Sequence, residues 1–280
     1  MGAVGPLAPS VIAPGLLPCD NPGMAHRPRI LITNDDGFSA RGIVELSEAL
    51  DDLGECWVVA PDSEQSAVSH ALTLERPLRL HQQGKRRFSV NGTPTDCVTL
   101  AMSCLLKDRA PDLVVSGINR GANMGVDVHY SGTVSAAFEG VILGSPAIAV
   151  SQAVGNGVSL DAARRVAREI TLWVLEHGLP PETLLNVNVP AQAPKGLRLT
   201  RLGVRRYTEG VLRQEDPRGR TIYWIGGGEP VWEKIPGTDF NEVGNGWISV
   251  TPLHLDMTSR NFLSEMKGNP PSWVREDLDG

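Results

Sequence analysis

A Rossmann-like, doubly wound α/β core on a mostly parallel sheet, followed by a β-rich C-terminal extension, is the fold class this sequence predicts. Three observations predict it. Short apolar runs alternate with helical apolar stripes from Arg29 to the Pro190 boundary. The first strand, helix, strand succession occupies about 30 residues, the span of one βαβ unit. Beyond Pro190 the helical period gives way to β-rich pieces divided by Gly and Pro clusters such as GGGEP and PGTD.

The elements follow in order. Residues 1–26 carry Pro6, Pro9, Pro14, Pro18 and Pro22 with no Lys or Arg before Arg27. That density of proline opposes both helix and strand pairing, and the basic start of a signal peptide is missing, so this stretch is expected to be a disordered extension. RILIT reads as a buried strand, NDDGFSA as a loop, and Ile43, Leu46, Leu50 and Leu53 as the apolar stripe of a helix. CWVVA is the second strand, with Trp57 read as core. Thr93, Pro94 and Asp96 have the spacing of a capping box with proline at the first helical position, opening a helix through Leu105. LVVSG is a strand, 131–143 a helix, AIAVS a strand, 161–176 an amphipathic helix, and LNVNV a further strand. The α/β core is thus expected over 27–190. Residues 191–280 are expected to form a β-rich extension of the same domain that also serves as an oligomerisation arm.

Composition narrows the class of function. The 280 residues are 41% hydrophobic and 21% charged, with 26 basic against 32 acidic side chains for a net charge of −6. This is an ordinary soluble balance that argues against a general nucleic-acid or anionic-membrane partner. No apolar stretch reaches the roughly 18 residues that span a bilayer. The four cysteines form no CxxC pair, as expected of reduced thiols in a cytoplasmic protein.

In open parallel sheets ligands collect beyond the carboxyl ends of the strands. Three such segments are unusual: Asn34, Asp35, Asp36 and Gly37; Asp62 with Ser66 and Ser69; and Ser116 to Gly121 with Asn119. Each alone is an ordinary turn composition, but all three fall on one sheet edge. Adjacent carboxylates at a buried strand end resist ionisation unless a cation or hydrogen bonds compensate, and a hard divalent cation is the simplest compensation. Asp35, Asp36, the Ser66 hydroxyl and the Asn119 amide offer only oxygens, which suits one Mn²⁺ or Mg²⁺ ion rather than zinc. Ser131, Gly132 and Thr133 open a helix whose N-terminal N–H groups suit a phosphate, and Asn123 adds a side-chain amide.

Together ITNDDG, APD with Ser66 and Ser69 downstream, NGTPTDC, SGIN, GANMG and YSGTVSAA resemble the SurE (survival protein E) nucleotidases, in order and at matching intervals. The resemblance runs from Arg29 through the TPL of 251–253. It implies a divalent-metal-dependent phosphatase of nucleoside 5′- and 3′-monophosphates. It further implies metal ligands at Asp35, Asp36, Ser66 and Asn119, and phosphate contacts at Asn123, Ser131, Gly132 and Thr133. It also points to exchanged arms and hence a homodimer or homotetramer, for which Trp224, Trp232 and Trp247 supply aromatic area. The chain departs from the family pattern in its Pro-rich extension, in Ala67 where the family commonly has Gly, and in a polar tail after Phe262.

The expected chemistry is hydrolysis by a metal-activated water without a phosphoenzyme, Asp35 or Asp36 also orienting that water or taking its proton. The dinucleotide, P-loop and hydrolase-elbow patterns GxGxxG, GxxxxGK[ST] and GxSxG do not stand where those enzymes need them. The rival that survives is a non-catalytic, metal-dependent nucleotide-binding regulatory module. His70 and His129 lie near the expected site without an assigned role, and Tyr130 is either packing or a base-stacking surface.

Overall fold

The computed structural model describes residues 27–155, 157–206, 211–225 and 231–273. The expected disordered extension at 1–26 lies outside the described residues. The first strand, β1 (Arg29–Thr33), leads through α1 (Arg41–Leu50) to β2 (Glu55–Pro61). An edge hairpin follows, β3 (Leu80–Gly84) and β4 (Arg87–Val90), and then α2 (Pro94–Leu100), which runs on as a π-helical turn over Ala101–Leu105. Next come β5 (Leu113–Arg120), a 3-10 turn at Gly125–His129, α3 (Gly132–Ile142), β6 (Ala147–Gln152), α4 (Asp161–His177) and β7 (Thr183–Val189).

In the nine-stranded sheet the order is β3-β4-β2-β1-β5-β6-β7, completed by two strands of the extension. The core strands from β4 to β7 are parallel, and only β3 joins them antiparallel at the edge. Alternation along β1 explains the two helical layers. Ile30 and Ile32 pack with Ile43, Leu46 and Leu50 of α1 and with Val166 and Ile170 of α4. Leu31 points the other way, into the cluster of Val98 from α2 with Val134 and Ala137 from α3. Every one of these side chains is buried, so the parallel strands are covered on both faces, as their crossover connections require. The fold is therefore the doubly wound α/β class.

The capping box at α2 forms as its spacing predicts. Thr93 Oγ1 accepts the Asp96 N–H at 3.0 Å, and Asp96 Oδ2 accepts the Thr93 N–H at 2.8 Å. The helix expected through Leu105 is regular only to Leu100. Trp57 is partly buried rather than central: it stacks on Phe88 at 6.1 Å and its Nε1 donates to Glu55 at 2.8 Å.

The extension contains β8 (Leu197–Leu199), β9 (Arg205–Arg206), β10 (Val211–Glu215), β11 (Thr221–Ile225) and β12 (Val231–Trp232). It ends with α5 (Asp239–Gly244), β13 (Ile248–His254) and α6 (Arg260–Gly268). Strand β13 returns to the main sheet, antiparallel to β7, and β8 closes the edge parallel to β13. The antiparallel pairs β10–β11 and β9–β12 stand apart as two-stranded ribbons.

The chain leaves β1 toward β2 on one side and reaches β5 on the other. The order therefore reverses between β1 and β5, where Thr33 lies opposite Ser116. Their carboxyl ends open one crevice, the usual ligand position in such sheets.

Candidate active site

Beyond β1 the chain turns sharply, with Asn34 Nδ2 donating to the Gly37 carbonyl at 3.0 Å. The turn places two carboxylates side by side. Asp35 is buried at 6% exposure, and its Oδ1 accepts the hydroxyl of Thr133. Burial pushes its carboxyl up to about 6; Thr133 opposes this, and the neighbouring Asp36 charge adds to it. Asp36 is likewise raised by burial, while the Arg120 N–H, 3.2 Å from Oδ2, and the Arg120 charge pull the other way.

The segment after β2 is drawn against this pair, the Gln65 N–H donating to the Asp35 carbonyl at 2.8 Å. Ser66 Oγ donates to Glu64 at 2.6 Å, which leaves its lone pairs toward any cation. Ala67 and Ser69 both have left-handed backbone, with φ of 57° and 58°. Ser69 Oγ donates to the His129 carbonyl at 2.6 Å, tying this loop to the turn before α3.

At the third segment the β5–β6 register shifts between Ser116 and Asn119, a bulge that re-aims the end of β5, where the Gly117–Ile118 peptide is cis. Asn119 Nδ2 donates to the Gly121 carbonyl at 2.8 Å, which fixes the amide and leaves its oxygen without a donor among the described residues. Asn123 is locked more firmly still. Its N–H donates to Asn188 Oδ1 at 2.8 Å, its Nδ2 to Ser151 Oγ at 2.8 Å, and its carbonyl accepts from Asn186 and Asn188.

Ser131 caps α3, accepting the Val134 N–H at 3.1 Å. Gly132 follows because nothing larger fits: a Cβ there would stand 2.7 Å from the Asp35 Cβ. The N-terminus of α3 thus rests directly on the acidic pair, where its dipole favours negative charge.

Asp35, Asp36, Ser66, Asn119, Asn123 and Ser131 line one cavity of about 1240 Å³. Thr133 stands one layer deeper, fully buried with its hydroxyl committed to Asp35, and Gly132 presents backbone only. His70 and His129 are not among the lining residues. The ring of His70 is 2.9 Å from Glu139, whose other oxygen accepts from Thr99 at 2.9 Å, and the His129 side chain is exposed. Tyr130 lines the cavity at 60% exposure, so its ring is not packed into the core of this chain.

The cavity also holds residues that sequence reasoning passed over. Arg120, Glu64 and Asp127 line it, as do Gln152 at the end of β6 and Val154 and Leu160 beyond that strand. No local pattern marks them, because they are strand-end or loop residues brought together only by the sheet; the position of Arg120 beside Asn119 was the one available signal.

These donors fit a hard divalent cation. A buried acidic pair with raised carboxyls is unfavourable by itself, and the buried Asn34 Oδ1 has no hydrogen-bond partner. Among the described residues no three His, Cys, Asp or Glu side chains gather into one group, so a cation here has to complete its shell with neutral oxygens.

Comparison with known proteins identifies the family. Residues 30–209 match the family model described as Survival protein SurE. A 5′-nucleotidase SurE from Geobacter sulfurreducens is 54% identical over 239 residues, covering 84% of this chain and 91% of that protein. Its counterpart from Myxococcus xanthus is 49% identical over 261 residues, covering 92% and 100%. The crystal structure of the SurE protein from Aquifex aeolicus matches with a TM-score of 0.76 at 42% identity, over 86% of this chain and 99% of that one. A doubly wound sheet with its acidic pair at the switch point, a family match across most of the core and near-full-length relatives lead to one assignment: this chain belongs to the SurE family.

Proposed function

We propose that this protein is a divalent-metal-dependent phosphomonoesterase that hydrolyses nucleoside 5′- and 3′-monophosphates to nucleoside and orthophosphate in the cytoplasm. The observation that carries the reading is the convergence of Asp35, Asp36, Ser66, Asn119, Asn123 and Ser131 on one cavity against the N-terminus of α3. The names of the relatives, 5′-nucleotidase SurE, supply the substrate class.

Asp35, Asp36, Ser66 and Asn119 would hold one Mn²⁺ or Mg²⁺. Bound there, the cation supplies Lewis-acid polarisation of a phosphoryl oxygen and a more acidic water. Asn123, the Ser131 hydroxyl and the Gly132 N–H are the phosphate-side donors, whereas the Thr133 N–H, like its hydroxyl, is turned to Asp35. Thr133 serves mainly by holding Asp35 in place, and the Arg120 N–H does the same for Asp36. A phosphoenzyme is disfavoured because Ser131 already caps α3, while Cys56 and Cys97 are buried with thiols raised by burial. Tyr130, Val154, Val158 and Leu160 give the cavity an apolar stretch of wall on which a base would lie. Apolar contact reads no base edge, so discrimination among nucleobases is modest.

A panel of 5′- and 3′-mononucleotides, sugar phosphates and short polyphosphate, assayed for orthophosphate with Mn²⁺ or Mg²⁺, tests this. Release from several mononucleotides, abolished by chelator, is the expected result. Undiminished activity in chelator, or turnover of one non-nucleotide phosphate alone, overturns it, and binding without release favours the regulatory module instead.

A further inference from the structure

Asp239 is fully buried on the first turn of α5, far in sequence from every residue of the site. Its carboxylate collects three backbone N–H groups. Oδ1 accepts from Gly203 and Phe240, each at 2.7 Å, and Oδ2 accepts from Gly125 at 2.8 Å. Two of these donors belong to the extension and the third opens the 3-10 turn that leads into the phosphate side of the cavity. The fit around Gly125 is close. A Cβ there would stand 2.6 Å from the Gly203 carbonyl oxygen and 3.1 Å from the Trp232 ring, at a φ of +54° that favours glycine. Trp232 in turn stacks on Phe240 at 3.9 Å. The turn is stiff: Asp127 N–H donates to the Met124 carbonyl, while Tyr130 and Ser131 N–H both donate to the Asp127 carbonyl. A shift at Gly125 is therefore carried to Tyr130 and to the Ser131 cap.

We propose that Asp239 is a positioning residue for the reaction, its carboxylate clamping the extension to the Gly125–His129 turn so that Tyr130 and Ser131 stand at the right distance from Asp35 and Asp36. The proposal rests on the nucleotidase reading for its substrate but not for its geometry. It gives the extension a role inside each subunit's own site, separate from association.

Asp239→Asn is the informative change. An amide keeps one acceptor for Gly203 and Phe240 and turns an N–H₂ against the Gly125 N–H, so the extension stays docked while the turn is released. The expected result is a rise of about tenfold or more in KM for a mononucleotide and in Ki for inorganic phosphate, with Mn²⁺ affinity held within about twofold, because a buried unpaired donor displaces the turn and not the acids. Hydrogen exchange over 124–131 should quicken. Val166→Ala, a buried core change in α4, controls for general destabilisation and should leave KM and Ki unmoved. Unchanged KM and Ki in Asp239→Asn, or an equal rise in Val166→Ala, overturns the proposal. Should Asp239→Asn not fold, Gly203→Ala, whose Cβ would sit 2.9 Å from Asp239 Oδ1, displaces the carboxylate without removing it and must raise the same two constants. If the wild-type protein turns over no mononucleotide, the nucleotidase reading falls. Calorimetric binding of phosphate to the Mn²⁺-loaded protein, wild type against variant, then decides the clamp by itself.

Discussion

Asp36 is half of a carboxylate pair that only a cation or a set of N–H groups makes comfortable, and the only described donor to its side chain is the Arg120 N–H. Asp36→Asn is therefore expected to abolish most activity and to weaken Mn²⁺ binding, with the circular dichroism unchanged. Normal turnover with ordinary metal dependence in that variant would remove Asp36 from the ligand set. Ala67 makes a second residue-scale case. Its φ of 57° is a left-handed conformation that costs an L-residue roughly 1–2 kcal/mol. Glycine removes that strain but brings about 0.4–1 kcal/mol of extra unfolded-state freedom. Ala67→Gly should then stabilise the protein by about 0.5 kcal/mol, read as a higher urea midpoint at unchanged slope. A lower midpoint would mean that the loop is not held in this conformation. The acidic pair, Ser66, Asn119 and the Ser131 cap were legible because three polar segments, each ordinary for a turn, follow strands that end on one edge of the sheet. Asp239 was not, since the acid of PGTD looks like any turn carboxylate until the fold brings Gly125 to it.

At the scale of elements, one contact joins the loop after β2 to α3. Glu139 is buried, which by itself pushes its carboxyl up, and the Asp96 charge acts in the same direction. Hydrogen bonds from His70 and Thr99 outweigh both and hold it below its ordinary value. A depressed folded value means that this contribution is complete above the ordinary glutamate value of 4.5 and is lost as the pH falls through the lower folded one. The wild-type urea midpoint should accordingly drop on acidification through that window, and Glu139→Gln should flatten the drop. An identical pH slope in the variant would show that the pair carries no linkage. The core strands and the capping box were readable because β1, β5 and β6 are nearly continuous apolar runs and because Thr93, Pro94 and Asp96 form their contacts locally. The β3–β4 hairpin was not. Its strand residues HQQG and RFSV carry little apolar alternation, and their pairing depends on an edge supplied by β2. Nor does sequence period separate the π turn at Ala101–Leu105 from the helix that precedes it.

For the whole molecule, we propose that association runs through the β10–β11 ribbon and that the protein is a homodimer or homotetramer. The three tryptophans expected to supply the contact divide in the fold. Trp232 stacks on Phe240 and Trp247 lies under the Arg198 guanidinium at 4.0 Å, whereas Trp224 is 60% exposed. With it, Val211, Leu212, Tyr223 and Ile225 leave apolar area on the ribbon that a lone chain does not cover, a surface of the kind that marks interfaces. Light scattering at micromolar concentration should return a multiple of the chain mass, and Trp224→Glu should lower it. A monomer mass for the wild type would refute the assignment. Among the described residues no helix is long and apolar enough to cross a membrane. Of the extension, its β-rich texture was legible and its route was not, because strand insertion into a sheet edge depends on partners remote in sequence.

That route has a further consequence. Strands β8 and β13 are neighbours, with Arg198 opposite Ser249, although residues 200–247 lie between them in the chain. The ribbons and α5 therefore form an inserted lobe whose two stems are stitched side by side into the sheet. A protease cut within the β10–β11 ribbon should leave both fragments locked together without a covalent link, one holding the crevice and β8, the other α5 and β13. The nicked protein should migrate as a single species until denatured, and the β10–β11 ribbon alone should tolerate exchange for a longer or shorter one with the sheet and the Asp239 contacts undisturbed.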